Sequence, residues 1–355
     1  MKNFLINYLS AIASRVDAVC NILIATKSSW SFLLVLFKIK KEAVVTIKSR
    51  PKLLQMRINR ENLAVLYYLS SLTNRRGLVF DGEKITISFY NINVFLGKTT
   101  KQELAVIHTA LCHGLLLNEY DKNCFLVKLK ENLNLVVRRN SVSDITEVVE
   151  TFVKNSYRRF YRDLKGKVVL DVGAFIGDTA ICFSYDGARM VYAYEPVPIY
   201  YDLAMKNIRL NKLDNVKLFN VGVGAAKGKF IAVPFGASGE TKIDIIPLGE
   251  AIEQIGEVDL LKMDCEGCEF PALLSLTRKH LHKIKEMIVE YHKNPLPIVR
   301  KLQEAGFVVN VEKPWTYVRG EAVGFFYARK VLNPYLEQRE TAVFSYLAPF
   351  PLLMG

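Results

Sequence analysis

The chain has 355 residues, enough for one large domain or two domains of ordinary size, and half of its residues are hydrophobic, which provides for a sizeable core. The six cysteines are scattered without the spacing of a disulfide framework, which favours a reducing compartment. The net charge of +13 lies in residues 1–165, which carry 26 Lys and Arg against 13 Asp and Glu, so the remainder is neutral. A basic arm of this kind predicts contact with anionic lipid, nucleic acid or an acidic partner, or is a solvated basic face.

The first 41 residues are apolar but interrupted. Their longest clean apolar run, residues 30–37, has eight residues, whereas a membrane span needs about twenty. Asn7 and a weak basic start disfavour a signal peptide. Apolar residues recur near helical spacing over residues 4–23, which predicts one or two amphipathic helices followed by a basic cluster at residues 38–41. These helices either pack on the catalytic core or lie in a membrane interface.

Residues 78–139 predict a small α+β region. Strands flank a turn within residues 78–91, a helix covers residues 98–117, and a hairpin covers residues 123–139. The next helix is predicted over residues 141–166, with an N-terminal cap at Asp144 and its capping-box partner at Glu147. Tyr157, near the end of this helix, is predicted to overhang a ligand pocket.

The segment KVVLDVGAFIGDT, residues 167–179, predicts a buried strand, a small-residue turn at Gly173 and a helix that begins at Gly177. A strand, a glycine turn and a helix N-terminus form a nucleotide-class pocket at the carboxyl end of a sheet. Asp171 stands where a phosphate-binding turn would have its first glycine. A carboxylate there repels phosphate and attracts a cation, which favours S-adenosylmethionine, with its ammonium and sulfonium groups.

Strands and helices then alternate, as a doubly wound sheet requires. The second strand ends at Glu195, which lies 18 residues after Gly177, close to where an acid meets ribose hydroxyls. The third strand, residues 215–224, is predicted to bring Asn220 and Val221 beside the adenine.

The carboxyl ends of the fourth and fifth strands carry a group of polar residues. They are Asp264, Glu266, Glu269, Glu290 and His292. The last two strands, residues 307–314 and 321–330, leave no room for a helix between them. They are therefore predicted to form an antiparallel hairpin at the edge of the sheet.

The runs VVLDVGAFIGDTAICF, YAYEPVP, NVKLFNVGVG, DLLKMDCEGCEF and IVEYH resemble the FkbM-like methyltransferases, over residues 135–330. The resemblance implies an α/β fold with a seven-stranded, doubly wound, Rossmann-like sheet that ends in an antiparallel hairpin. It places a methyltransferase domain at residues 131–330, between a basic α+β extension at 1–130 and an apolar tail at 331–355. It also implies an S-adenosylmethionine-dependent methyltransferase, expected to methylate a hydroxyl of a sugar, glycan, lipid-linked or secondary-metabolite acceptor.

The resemblance further implies the residues that contact the cofactor. Those for its methionine half are Asp171, Gly173, Ala174 and Gly177; those for ribose and adenine are Glu195, Pro196, Asn220 and Val221. Asp264 and Glu266 are implied at the mouth between cofactor and acceptor. Cys265 and Cys268 depart from the family, which usually has small or aliphatic residues there.

Methyl transfer to a hydroxyl requires positioning of the acceptor and a base that removes its proton. We expect Asp264 or Glu266 to bind the cofactor ammonium and His292 to act as the base. Asp264 and Glu290, on adjacent strand ends, could instead hold a divalent metal, but they lack a clear third ligand. Cys265 and Cys268 lack a second pair, so the sequence predicts no metal site, and whether a divalent metal is needed stays open.

Two other functions remain open at this stage. The chain could bind the cofactor without turnover, or it could methylate nucleic acid through its basic N-terminal part. The second is disfavoured because no N-P-P-Y-like motif and no RNA-binding module are present. The expected location is cytoplasmic, with peripheral contact at the inner membrane face as the alternative, and the oligomeric state stays open.

Overall fold

A computed structural model describes residues 43–47, 54–58, 67–68, 78–80, 84–87, 92–95, 100–130, 132–232, 240–318 and 321–331. The amphipathic helices predicted in the first 41 residues and the apolar tail after residue 331 lie outside these ranges. Across the described ranges, every helix is too short or too polar to cross a lipid bilayer.

The strands are numbered here in chain order. They are β1 Ala43–Ile47, β2 Leu54–Ile58, β3 Leu78–Phe80, β4 Lys84–Ile87, β5 Ile92–Phe95, β6 Leu116–Glu119, β7 Cys124–Lys130, β8 Leu133–Arg138, β9 Val168–Val172, β10 Met190–Tyr194, β11 Val216–Phe219, β12 Gly222–Gly224, β13 Gly228–Ala232, β14 Thr241–Pro247, β15 Val258–Met263, β16 Ile284–Tyr291, β17 Phe307–Val311, β18 Thr316–Val318 and β19 Glu321–Lys330.

The helices follow the same scheme. They are α1 Thr100–Cys112, α2 Val142–Val148, α3 Asp178–Tyr185, α4 Pro198–Leu210, α5 Leu248–Ile255, α6 Glu269–Ser275, α7 Arg278–His282 and α8 Leu296–Glu304. A π-helical turn at Val149–Val153 continues α2, and a 3-10 turn follows at Arg158–Phe160.

The central sheet has the strand order β11-β10-β9-β15-β16-β19-β17, and β18 pairs with one end of β19. The first five of these strands are parallel, whereas β19 is antiparallel to both β16 and β17. Every residue of β9 is buried, as expected for an apolar strand that is covered by helices on both faces. The structure therefore confirms the predicted doubly wound sheet and its terminal antiparallel hairpin.

The strand order reverses beside β9. From β9 the chain proceeds through β10 to β11 on one side, then returns to build β15 and β16 on the other side. In such a sheet, the crevice at the carboxyl ends of the strands on either side of the reversal is where ligands bind. The fold therefore brings the ends of β9, β10 and β15 to one site.

The β7–β8 hairpin docks on the central sheet through α4. The buried Asn207 side chain accepts a hydrogen bond from Val136 N at 2.7 Å and donates to Val136 O and Ile176 O. Asn211 ends α4, and its side chain also bonds the backbone of Asn134 in β8. The hairpin of β7 and β8 spans the predicted division at residue 130, because Lys130 pairs with Leu133.

Several local predictions are wrong. The helix predicted over residues 98–117 ends at Cys112, and the helix predicted over residues 141–166 ends with the π-helical turn at Val153. The third strand divides into β11 and β12, and β12 joins β13 and β14 in a separate sheet, because Asn220 turns the chain by donating to Glu195 O and Pro196 O. The helix after residue 140 is capped by Ser141, whose side chain accepts from Asp144 N. The Asp144 carboxylate pairs with Arg138 instead.

Candidate functional site: an acidic pocket at the strand reversal

A cavity of about 440 Å³ opens at the carboxyl ends of β9, β10 and β15. Helix α2 forms one wall and the β13–β14 hairpin another. The lining residues are Ser143, Glu147, Tyr157, Gly173, Phe175, Asp178, Thr179, Glu195, Pro196, Val197, Tyr200, Ala232, Ile243, Lys262, Asp264, Cys265 and Glu266.

Gly173 forms the floor of the pocket, where the turn after β9 meets the loop after β15. Its φ is +82°, and a Cβ there would lie 1.8 Å from the backbone oxygen of Asp264. Only glycine permits this contact, since any side chain would separate the two loops. The prediction of a glycine turn at this position is confirmed.

Asp171 does not face the cavity, contrary to the prediction that it attracts the cofactor directly. Its carboxylate is fully buried, lies 3.3 Å from Lys262 Nζ and accepts a hydrogen bond from the Thr179 hydroxyl at 2.7 Å. Lys262 is 2% exposed and also donates to Gly173 O at 2.8 Å. A charge this deeply buried requires a partner, and Lys262 supplies it, so the pair fixes the turn from below.

Ala174 and Gly177 lie behind the cavity wall. Ala174 is fully buried, and Gly177, with φ +83°, caps α3 at a point where a Cβ would lie 3.2 Å from Ala204 of α4. These residues let α3 and α4 pack closely. Their predicted contact with the methionine half of the cofactor is not seen in the cavity lining.

Glu195 and Pro196 line the cavity at the end of β10, as predicted. The Glu195 carboxylate accepts hydrogen bonds from Phe175 N at 2.9 Å and Val197 N at 2.8 Å. Burial raises the pKa of Glu195 to about 7, against the lowering effect of those two N–H groups. Each carboxylate oxygen keeps a further lone pair, so Glu195 can still accept from a ribose diol.

Asn220 and Val221 were predicted to flank the adenine, but neither lines the cavity. The Asn220 side chain braces the backbone of Glu195 and Pro196, and Val221 packs against the hydrophobic core on the far side. Their role in the structure is to hold the loop after β10.

The other end of the pocket is built around Asp264, which follows β15. Its Oδ2 accepts a hydrogen bond from the Tyr157 hydroxyl at 2.8 Å, so Tyr157 does overhang the pocket as predicted. Glu266 also lines the cavity and has φ +57°, an unusual backbone conformation for a residue with a side chain.

Glu147 of α2 lines the same end and was missed as a site residue. The predicted capping box gave Glu147 a local structural role, and nothing in the sequence indicated that it lies against the strand ends. Burial, followed by the charges of Asp178 and Asp264, raises the pKa of Glu147 to about 8.

His292 lies beside this end but outside the cavity lining. Its Nε2 is 3.4 Å from Glu266 Oε2 and 3.8 Å from Glu290 Oε1, and its Nδ1 is 3.5 Å from Glu269 Oε1. Although burial favours the neutral ring, Glu269 and Glu266 raise the pKa of His292. The predicted base role for His292 stays a prediction, and the structure also supplies the third side chain that the sequence lacked beside Asp264 and Glu290.

Cys265 and Cys268 form a disulfide with a Cα–Cα distance of 5.5 Å. This disulfide closes a single loop and does not link distant parts of the chain as a disulfide framework would. It nevertheless departs from the prediction that the cysteines are scattered thiols. The buried Glu269 carboxylate holds the same loop by accepting from Cys265 N at 2.7 Å and Gly267 N at 2.9 Å.

The cavity is strongly acidic. Among its lining residues, which all belong to the described part of the chain, five are Asp or Glu and one, Lys262, is a cation. Because Lys262 is already paired with Asp171, those acids that are ionised leave a negative potential in the pocket. Glu147, whose pKa is raised to about 8, contributes little to this potential near pH 7. This pocket favours a cationic ligand and disfavours phosphate.

Residues 171–309 match the family model of the methyltransferase FkbM domain. Over these residues the chain is similar to the methyltransferase FkbM domain. The match confirms the resemblance found in the sequence and, with it, S-adenosylmethionine as the cofactor.

Two curated proteins are similar to parts of the chain. Protein arginine N-methyltransferase 6 of Danio rerio is 37% identical over 84 residues, which cover 21% of this chain and 24% of that protein. Methyltransferase sdnD of Sordaria araneosa is 24% identical over 169 residues, which cover 34% of this chain and 65% of that protein. The chain therefore spans about a quarter of the length of the first relative and just under two thirds of the length of the second.

Two solved structures are among those that the chain matches. The structure of M. jannaschii TYW2 in complex with AdoMet matches with a TM-score of 0.37 and 18% identity, over 61% of this chain and 94% of that chain. An rRNA methylase from Streptococcus thermophilus matches with a TM-score of 0.34 and 12% identity, over 51% of this chain and 95% of that chain.

Proposed function

We propose that this protein transfers the methyl group of S-adenosylmethionine to a hydroxyl of a sugar, glycan, lipid-linked or secondary-metabolite acceptor. The observation that carries the proposal is the acidic pocket at the strand reversal of the FkbM domain. A doubly charged cofactor without phosphate suits this pocket, whereas the phosphate backbone of a nucleic acid acceptor would be repelled.

The two ends of the pocket have different roles in binding. Glu195 binds the ribose diol, and the turn at Gly173 lets the cofactor approach the backbone. Asp264 and Glu266 lie toward the acceptor, where one of them binds the cofactor ammonium. The cofactor supplies a methyl group already activated by the sulfonium.

The acceptor oxygen attacks the methyl carbon in line with the carbon–sulfur bond, which breaks as the new carbon–oxygen bond forms. Much of the rate comes from holding the oxygen about 3 Å from the methyl. The hydroxyl proton must leave as this happens, and we assign it to Glu147. A pKa of about 8 places this carboxylate close to the operating pH, where a general base is most effective. His292 is the other base candidate.

An acceptor screen with labelled S-adenosylmethionine tests the proposed reaction. Glycans, lipid-linked sugars, RNA and arginine-containing peptides are offered in parallel to the full chain and to a Glu195→Gln variant. We expect label in a hydroxyl acceptor and at least a tenfold loss in the variant. A Glu253→Gln variant, at an acid on the surface pairing with Lys283, should match the wild type. Label in RNA alone would contradict the proposal, and bound cofactor without any transfer would favour a binding protein without turnover.

The pH dependence tests Glu147. Because the deprotonated carboxylate accepts the proton, kcat should rise as pH increases through about 8, and Glu147→Gln should remove that rise. The control is Glu286→Gln, at a carboxylate that contacts Tyr327 and Lys167. If Glu147→Gln keeps the wild-type profile and His292→Gln loses it, the base is His292.

The same pKa makes a prediction about stability that does not depend on activity. A carboxyl group whose pKa is raised by folding binds its proton more tightly in the native state, so its contribution to the free energy of unfolding falls between about pH 4.5 and 8. Glu147→Gln should therefore gain in Tm relative to wild type as pH rises from 5 to 8.

A second candidate function is N-methylation of a guanidinium. The acids Glu147, Asp264 and Glu266 would also attract a cationic acceptor, and the similarity to an arginine N-methyltransferase favours the same acceptor. Label in the arginine peptide but in no hydroxyl compound would establish this alternative.

We further propose that the protein acts in the cytoplasm and that its first 41 residues contact the inner membrane face. The support is their apolar helical spacing and the basic cluster that follows. Removal of these residues should move the protein from the membrane fraction to the supernatant. Equal partitioning of the full and truncated chains would contradict the membrane contact.

A further inference from the structure

We infer that Asp264, Glu290 and His292 bind one divalent metal cation beside the acceptor end of the pocket. The site itself is argued from these side chains alone. Its role in the reaction rests on the proposed function.

The three residues converge because their strands are neighbours. Asp264 follows β15, Glu290 lies near the end of β16, and His292 follows β16, which is parallel to β15. One donor atom from each residue lies within 4.8 Å of the other two. Ligands at about 2.0–2.2 Å from a shared cation lie roughly 3–4.4 Å from one another, so small side-chain movements are sufficient.

The histidine has the orientation of a metal ligand. Its Nδ1 faces the Glu269 carboxylate at 3.5 Å, and its Nε2 lies 3.4 Å from Glu266 and 3.8 Å from Glu290. Glu269 is 2% exposed and fixed by two backbone N–H groups, so it cannot move away from the ring. Metal-binding histidines commonly donate one ring N–H to a carboxylate, which leaves the other nitrogen for the metal.

The charges in this region call for a cation. The side chain of Glu290 is 17% exposed, and one of its oxygens lies within 4.8 Å of a donor atom of Asp264, so two carboxylates share a partly buried space. Lys262 cannot neutralise both carboxylates, because it is held by Asp171 and Gly173 O. A bound cation would balance the charge of the two carboxylates.

The donor set indicates the kind of metal. Two carboxylates and one imidazole suit a first-row divalent ion such as Mn²⁺ or Zn²⁺ better than Ca²⁺ or Mg²⁺, which prefer oxygen ligands throughout. A cation here would bind the acceptor hydroxyl and lower its pKa, which eases proton transfer to Glu147.

The test measures Mn²⁺ binding to the full chain by electron paramagnetic resonance after treatment with a chelator and dialysis. We expect one tightly bound ion in the wild type and at least tenfold weaker binding in Glu290→Gln and His292→Gln. Glu286→Gln is the matched control, since Glu286 lies on the same strand and contacts Tyr327 and Lys167 instead. Thermal unfolding of each variant, followed by circular dichroism, identifies any that fail to fold.

If the wild type binds no stoichiometric Mn²⁺, or if Glu290→Gln binds it as tightly as Glu286→Gln, the site does not exist and a shared proton or an ion pair with His292 explains the cluster. Should the chelated enzyme methylate a hydroxyl acceptor at the wild-type rate, the catalytic role is wrong and the proposed function stands. Tight Mn²⁺ binding without methylation of any hydroxyl would contradict the proposed function and leave the site intact.

Discussion

The buried ion pair of Asp171 and Lys262 is expected to contribute strongly to the stability of this site. Both side chains are at most 2% exposed, and Lys262 also secures the carbonyl of Gly173. Lys262→Met would leave the Asp171 carboxylate buried without its partner. Removing one member of a buried pair costs about 3–5 kcal/mol. In a domain of this size, that loss corresponds to a fall in Tm of roughly 10 °C.

The same sheet contains a matched pair on its surface. Lys285 lies 2.6 Å from Asp259 across β15 and β16, but its side chain is 60% exposed. Lys285→Met should therefore cost about 0–1 kcal/mol. Urea denaturation of Lys262→Met, Lys285→Met, Asp171→Asn and the double variant Asp171→Asn with Lys262→Met measures these differences.

The double variant tests whether the charges of Asp171 and Lys262 act as a pair. Since Asp171→Asn removes the charge that Lys262→Met leaves unpaired, the double variant should be more stable than Lys262→Met alone, with a coupling energy of about 2 kcal/mol. If the two lysine variants cost the same, or if the double variant is the least stable, then Asp171 and Lys262 do not act as a buried pair.

Two further substitutions test the packing around the pocket. Gly173→Ala should abolish cofactor binding measured by calorimetry and lower Tm severely, since its Cβ would lie 1.8 Å from a backbone oxygen. The control Gly306→Ala, at φ +88° with open space around it, should cost only about 1–2 kcal/mol. Equal effects of the two substitutions would mean that positive φ alone matters. Asn207→Ala leaves three buried backbone groups without partners and should cost about 2–4 kcal/mol by urea denaturation. Asn211→Ala, at a half-buried side chain, should cost less. Equal losses would contradict the role of Asn207 in joining β8 to α4.

Local patterns were sufficient for much of the fold. Strands of the central sheet were predicted because apolar runs end at turn residues, and the hairpin at the edge followed from a connection too short for a helix. The third strand was predicted wrongly because its apolar run continues through Asn220, where side-chain bonds to another loop turn the chain.

The site residues divide in a similar way. Gly173, Glu195, Pro196, Asp264 and Glu266 were placed in the pocket by sequence and line it in the structure. Their types are set by local needs, such as a positive φ or an acid at a strand end. Glu147 and Lys262 were not recognised, because nothing near them in the chain shows what they face.

The sequence by itself therefore determined the class of domain and its cofactor, since a strand, a glycine turn and an acid recur at short spacing along the chain. Only the tertiary structure decided the role of each charge. Asp171 has the sign expected for attracting a cation, but Lys262, 91 residues later, neutralises it in the core. Burial and then acids on other elements raise the pKa of Glu147, whereas acids on other elements raise the pKa of His292 against the effect of burial. Such effects arise from residues distant in the chain, so they leave no local pattern in the sequence.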